Sequence, residues 1–221
     1  MIKIENPEVT GWEVAIRGMR NPMNSWDKSD SWYGCRMGDY GHIDSYYCEN
    51  RCRLDCEFCL GTNDYDLMKK LVQAGSDHSK FMRMINVTLD VTAPLYWWKE
   101  MDTYKVGTVR NSCSTMHKVT AKEFELEDFS HEHLPENNTV LDYIVCALNV
   151  YRKNYLETQD KAWWWQIIQI LPSSYNQRAT LQLNYAVLRN IYHSRKNHKL
   201  DEWHDFCHWI ESLPNSELIT L

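Results

Sequence analysis

Hydrophobic and polar positions follow two different periods along this chain. Trp12, Val14 and Ile16 alternate with Glu13, Ala15 and Arg17, which predicts a half-buried strand within Gly11 to Arg20, with Arg17 near its end. A second alternation, Ile85, Val87, Leu89 and Val91 against Asn86, Thr88 and Asp90, predicts a strand over Met84 to Val91. It leads through Thr92, Ala93 and Pro94 into an aromatic helix. Between the two lies a turn-rich stretch, Asn21 to Ser31, and then a helix over Asn63 to Ala74. Leu67, Met68, Leu71 and Val72 share one face of that helix, Asn63 or Asp64 can cap it, and Gly75 ends it. The C-terminal third has helical period. Val140, Leu141, Ile144, Val145, Leu148 and Tyr151 mark a helix over Thr139 to Tyr155. Lys161 to Ile170 is apolar nearly all round, which predicts a buried helix, broken by Leu171 and Pro172. Further helices are expected over Gln177 to Arg195 and Asp201 to Ile210. The acidic stretch Thr120 to Asn138 reads as an exposed excursion.

Composition narrows the class. At 221 residues the chain is long enough for one domain with a real core, and we read residues 1–221 as a single domain. A formal net charge of −6 argues against duplex nucleic acid as the main partner. Trp and Tyr number 10 and 13 against 5 Phe, a bias toward side chains with an apolar body and a polar tip. No leader segment and no apolar run of membrane-spanning length is evident, so no membrane partner is expected. That predicts a cytoplasmic protein whose 8 Cys are reduced thiols or metal ligands.

A Cys-rich insertion near residues 34–61 holds Cys35, His42, Cys48, Cys52, Cys56 and Cys59. Three readings stay open there. The Cys52, Cys56 and Cys59 spacing matches the iron–sulfur motif of radical S-adenosylmethionine enzymes, which would ordinarily need a long series of βα units after it. Cys48, Cys52, Cys56 and Cys59 could instead bind zinc, or all could be unligated thiols.

The densest polar chemistry follows the aromatic helix. Lys105, Thr108, Arg110, Asn111, Ser112, Ser114 and Thr115 fall within eleven residues of a loop between Ala93 and His117. Cations with small hydroxyls and amides suit a phosphate or a polar ring edge. The order of residues here resembles the signature of the flavin-dependent thymidylate synthases, an Arg-His-Arg helix end followed by a Ser and an Asn- and Ser-bearing loop. On this chain the Arg-His-Arg falls on Thr103, Tyr104 and Lys105, the Ser on Thr108, and the loop keeps Asn111 with Ser112 or Ser114. Glu100 lies where the family often has Gln. The resemblance runs in order along nearly the whole chain. Ala15 to Arg17 resembles an early Ala-Ala-Arg run. His78 and Ser79 match a Gly-His-x-Ser segment. Val187 to His193 resembles the family's Asn-x-Arg-Ser-Leu-x-His/Asn run and keeps Arg189. His198 stands where the family has the Arg that polarises the pyrimidine, and Arg195 lies one turn before it.

The resemblance implies an α+β fold with mixed helices packed on a small antiparallel sheet. It further implies a flavoprotein of nucleotide biosynthesis, assembled as a homotetramer. Such a protein would transfer a one-carbon unit from methylenetetrahydrofolate to C5 of a pyrimidine nucleotide, dUMP or an analogue, with FAD as cofactor and NADPH as reductant. Carried over residue by residue, Arg195 and His198 are the catalytic candidates and Lys105, Ser112 and Ser114 the nucleotide-binding ones. His78, Ser79, Arg83, Arg189 and His193 are the flavin candidates, and no residue is assigned to a metal. The alternatives are a catalytically inactive relative that binds or sequesters a nucleotide, and an iron–sulfur or zinc protein built on the Cys-rich insertion.

Overall fold

The computed structural model describes residues 2–35, 56–135 and 139–221. The described elements, in chain order, are β1 (Lys3–Thr10), α1 (Trp12–Arg20), β2 (Trp32–Cys35), β3 (Cys56–Cys59), α2 (Thr62–Gln73), β4 (Asn86–Pro94), α3 (Leu95–Met101), β5 (Val109–Ser112), α4 (Val140–Thr158), α5 (Lys161–Ile170), β6 (Asn176–Asn184), α6 (Tyr185–Arg195), α7 (Asp201–Glu211) and α8 (Glu217–Thr220). They form two compact units. The first comprises Met1–Glu8, Thr88–Leu183 and Ser194–Trp209; the second comprises Val9–Val87, Asn184–His193 and Ile210–Leu221.

The first unit is built on a four-stranded sheet in the order β1-β4-β6-β5, with β5 and β6 antiparallel. The alternation expected over Met84 to Val91 holds at Leu89 and Val91, which are buried while Thr88 and Asp90 are less so, and the strand runs on past the expected end through Ala93 to Pro94. Residues 176–184 depart from expectation. They form strand β6 rather than the first half of a helix, because Gln177, Ala179, Leu181 and Leu183 are buried at period two, and helix α6 begins only at Tyr185. Val109 to Ser112, expected in a loop, form an edge strand. Behind the sheet, Trp97 of α3 packs against Trp203 and Phe206 of α7 with ring centroids 4.8 and 5.5 Å apart.

A second cluster joins Leu141 and Leu148 of α4 and Ile167 of α5 to Val119, Phe124 and Phe129. Two expectations are corrected there. The stretch from Thr120 is not a wholly exposed excursion, because Phe124 and Phe129 are core residues. Helix α5 is not buried all round. Ile167 is its fully buried side chain, while Trp165 and Ile170 stay exposed, because the helix packs along α4 by one face.

Polar cross-strand contacts tie this sheet together. Asp90 of β4 accepts hydrogen bonds from Thr180 Oγ1 at 2.6 Å, Arg178 Nη2 at 2.9 Å and Asn6 Nδ2 at 3.0 Å. The Thr180, Asn6 and Arg178 donors hold the Asp90 carboxyl down to about 2. A depressed carboxylate stabilises the fold above its unfolded pKa, near 3.8, and that contribution is lost as pH falls through about 2. Urea titrations should therefore show wild type more stable than Asp90→Asn at pH values above that window, with the difference shrinking as the medium is acidified through it. A pH-independent difference would contradict the assignment.

The second unit begins with a correction. Residues Trp12 to Arg20 form helix α1, not a strand. Trp12, Ala15, Ile16, Met19 and Arg20 are the buried positions, and that is a helical stripe. The alternation of Trp12, Val14 and Ile16 shares two members with the stripe, and Val14 is in fact exposed. Arg17 thus lies on a helix. Gly11 precedes α1 with φ +91°, and a Cβ there would stand 2.1 Å from the Met84 carbonyl oxygen. Gly11→Ala is expected to lower stability by about 1–3 kcal/mol in urea unfolding. A loss below about 0.5 kcal/mol would mean the turn relaxes freely.

Strands β2 and β3 pair antiparallel, and α2 follows. Its cap is neither Asn63 nor Asp64. The Asp30 carboxylate accepts the backbone N–H groups of Asn63 at 2.9 Å and Asp64 at 3.1 Å. Asp64 is freed for another task. It is fully buried and pairs with Arg20 Nε at 2.6 Å. Trp12 meets Tyr185 edge-on at 5.3 Å, which ties α1 to the start of α6. Of the Cys-rich insertion, residues 36–55, including His42, Cys48 and Cys52, lie outside the described residues. Among the described residues no group of three His, Cys, Asp or Glu side chains is placed to hold a metal ion, and no helix is long and apolar enough to cross a membrane.

Candidate functional site

In the first unit, the end of α6, the turn after it and the start of α7 bring Arg195, His198 and Trp203 to the carboxylate of Glu100 on α3, with Tyr104 from the turn after α3 against Arg195. Glu100 sits in the last turn of α3, supported by the buried neighbours Trp97, Trp98 and Met101. Its Oε2 accepts hydrogen bonds from Arg195 Nη1 at 2.6 Å and Trp203 Nε1 at 2.9 Å, and His198 Nε2 lies 3.3 Å from it. The tautomer of His198 follows from its other nitrogen. Nδ1 accepts the backbone N–H of Leu200 at 3.2 Å, so the neutral ring carries its proton on Nε2, the nitrogen nearer Glu100.

Arg195 is held on several sides. Its Nε donates to the Tyr104 hydroxyl at 2.8 Å, and its guanidinium carbon lies 4.9 Å from the Trp203 ring centre and 5.5 Å from that of Tyr104. A planar cation stacked on rings and pinned through two nitrogens loses little freedom when it binds something further. Two atoms of the pair remain unengaged among the described residues, Glu100 Oε1 and Arg195 Nη2. One accepts and the other donates, on adjacent groups, and the Glu100 side chain is one-third exposed at 33%.

The catalytic candidates Arg195 and His198 are thus brought together, through Glu100. Glu100, Tyr104 and Trp203 had not been assigned to the site. Their signal was available for one pair only, since Glu100 and Tyr104 are four residues apart, while Trp203 arrives from a distant helix. The nucleotide candidates are more dispersed. Lys105 is exposed in the turn after α3, and Ser112 is exposed at the end of β5. Ser114 Oγ accepts the N–H groups of Met116 at 3.2 Å and His117 at 3.0 Å. Among the described residues no hydrogen bond joins these three to one another. Arg110 is not an available cation. It pairs with Asp102 at 2.8 Å, donates to Gln177, and stacks on Trp98 at 4.0 Å.

The flavin candidates all fall in the second unit. Arg189 Nη1 lies 2.8 Å from His193 Nε2 and donates to the Ile219 carbonyl at 3.2 Å. Ser79 Oγ donates to the Gly75 carbonyl at 3.1 Å. His78 and Arg83 are exposed.

Solved structures share this architecture. Flavin-dependent thymidylate synthase ThyX from Helicobacter pylori, complexed with FAD and dUMP, aligns with a TM-score of 0.70 at 16% identity, covering 99% of this chain and 98% of that one. A second ThyX structure from Helicobacter pylori, with FAD and dUMP, gives 0.68 at 14% identity over 99% and 100% of the two chains. The fold is that of the flavin-dependent thymidylate synthases. The UMP/dUMP methylase PolB from Streptomyces cacaoi, bound with 5-Br dUMP, shares it at a TM-score of 0.57 and 14% identity, over 100% and 95% of the chains. No family model matches the sequence, and no curated protein matches it.

Proposed function

We propose that the protein binds a pyrimidine nucleotide, dUMP or an analogue, and transfers a one-carbon unit from methylenetetrahydrofolate to C5 of its ring. The observation that carries this reading is the unengaged acceptor–donor pair, Glu100 Oε1 beside Arg195 Nη2, on a fold whose solved neighbours hold dUMP. A uracil edge offers the complement, an N3–H donor flanked by carbonyl acceptors. Glu100 accepting the N3 proton pushes electron density toward C5, and Arg195 stabilises the charge that gathers on the carbonyl oxygen. Trp203 keeps Glu100 oriented through its Nε1–H, and His198 lies beside the same oxygen. Lys105, Ser112 and Ser114 would hold the phosphate as a point charge and hydroxyl donors.

The residues offered to a flavin fit such a group. Arg83 and His78 are exposed, and Arg189 with His193 adds a cation and a polar ring, a donor set suited to a pyrophosphate. FAD held there would supply the reducing equivalents that turn a transferred methylene into a methyl group, with NADPH as the source of electrons. Assembly as a homotetramer in the cytoplasm belongs to the same reading.

A second reading is a nucleotide-binding protein without turnover. It is favoured by Thr103 and Tyr104 in place of the family's first Arg and His, and by the engagement of Arg110 with Asp102. Absorption spectra of the purified protein, titrated with FAD in the presence of dUMP, separate the two. A saturating flavin spectrum, followed by formation of dTMP when methylenetetrahydrofolate and NADPH are added, is the expected result. Saturable dUMP binding with no flavin uptake at any concentration would replace the enzyme by the binding protein.

A further inference from the structure

Strands β2 and β3 set two cysteines of the second unit directly opposite each other, and the chemistry above uses neither. The antiparallel register pairs Trp32 with Cys59, Tyr33 with Phe58, Gly34 with Glu57 and Cys35 with Cys56. Directly opposed residues of such a pair fall on one face, with Cα atoms about 4.5 or 5.5 Å apart. A disulfide spans Cα separations of about 4.4 to 6.8 Å, so either kind of rung admits one. Cys59 is excluded from this rung. It stands three residues along β3 from Cys56, on the other face of the hairpin and opposite Trp32.

The register is held at the other end of the hairpin. The Gly61 N–H donates to Ser31 Oγ at 2.9 Å, which ties the residue before β2 to the chain just after β3. Ser31 is itself anchored on the fully buried Asp64, which accepts its hydroxyl at 2.6 Å and its N–H at 3.1 Å. Next to it, Asp30 reaches across to the N–H groups of Asn63 and Asp64. A slip of one residue that set Cys35 against Glu57 would move Cys35 to the other face relative to Cys56 and break these bonds. The buried cluster at Asp64 thus specifies which two cysteines meet.

We infer that Cys35 and Cys56 are a redox pair that closes to a reversible disulfide, with a low-molecular-weight disulfide of the glutathione type as oxidant. The thiolate of one cysteine attacks a sulfur of the oxidant, the S–S bond of the oxidant breaks, and one small thiolate leaves. The thiolate of the second cysteine then attacks the protein sulfur of this mixed disulfide, and the second small thiolate leaves. Two protein thiols give up two electrons and the small disulfide takes them. The two protons that left the cysteines end on the two small thiols. The new bond joins β2 to β3 covalently at the rung farthest from Ser31. In a reducing compartment the pair stays as thiols, and the bond forms as the small disulfide accumulates. Neither cysteine enters the one-carbon reaction, so the two readings stand or fall separately.

Mass mapping of the full chain tests the pair. The protein is equilibrated with oxidised or reduced glutathione, remaining thiols are capped with iodoacetamide, and the chain is unfolded and digested with trypsin. Cleavage after Arg36, Arg51 and Arg53 puts Cys35, Cys48 and Cys52 on separate peptides, with Cys56 and Cys59 together on another. After oxidised glutathione, the Cys35 peptide is expected joined to the peptide of Cys56, fragmentation should place the bond on Cys56, and dithiothreitol should remove it. The link should persist in Cys59→Ser and be absent from Cys56→Ser. The wild-type map decides the connectivity whether or not a variant folds. Oxidised wild type should also unfold about 5 °C above the reduced protein, a gap kept in Cys59→Ser and lost in Cys35→Ser. Cys35 joined to Cys48, Cys52 or Cys59, only mixed disulfides with glutathione, or Cys35 and Cys56 both capped after oxidation overturns the inference.

Discussion

Asp64→Ala is expected to destabilise the protein by about 3–5 kcal/mol, among the largest effects of any single substitution in the second unit. Asp64 is fully buried, and its Oδ2 collects the hydroxyls of Ser29 at 2.7 Å and Ser31 at 2.6 Å and the N–H groups of Asp30 and Ser31. Its Oδ1 takes Arg20. Removing it strands a buried guanidinium and releases the turn from Ser29 to Ser31 that supplies the Asp30 cap of α2. Burial alone would raise the Asp64 pKa, but the bonds from Ser31, Ser29 and Arg20 outweigh it and hold the carboxyl below its ordinary value of 3.8. The stabilisation is therefore complete above that value and lost as pH falls through the lower, folded-state pKa. Urea unfolding of wild type and Asp64→Ala measures the difference. A loss below about 1 kcal/mol would mean that water replaces the carboxylate, against the burial of both partners.

Arg195→Met is expected to weaken dUMP binding about 10- to 100-fold, the worth of hydrogen bonds to a charged group in a desolvated site. Met preserves the unbranched stem that lies against Trp203 and Tyr104, so the packing survives while the cation is lost. Arg195→Lys should recover only part of the affinity, because an ammonium cannot reach Tyr104, Glu100 and a ligand at once. Equal affinity in wild type and Arg195→Met would remove Arg195 from the site.

Where a single period governed a segment, the sequence was legible. Val87, Leu89 and Val91 could only be one face of a strand, and Val140 to Tyr151 only a helix. Two segments failed because their patterns satisfy two periods at once. Trp12 and Ile16 are four apart, which serves alternation and a helical stripe equally, and the burial of Ala15, Met19 and Arg20 decides for the helix. Ala179, Leu181 and Leu183 alternate, but they run into Tyr185, Leu188 and Ile191 at helical spacing, and the join at Tyr185 is invisible without the sheet.

The candidate site was legible in part for a related reason. Resemblance located Arg195 and His198, but their common partner Glu100 lies about a hundred residues earlier, and only folding joins them. The same holds for Arg20 and Asp64, since a buried ion pair between two helices leaves no periodic trace. The Arg110 side chain shows the opposite error. Among hydroxyls and amides it suited a phosphate, yet Trp98 and Asp102 occupy it.

On the proposed function, Glu100 and Arg195 read the imide edge of a pyrimidine nucleotide. Calorimetric titration of the wild-type chain with dUMP and with 3-methyl-dUMP tests it most directly, because the methyl group removes the N3 proton and leaves the phosphate, sugar and ring faces unchanged. Saturable binding of dUMP is expected, with affinity at least about tenfold weaker for the methylated nucleotide. Equal binding of the two, or no saturable binding of dUMP, would contradict it.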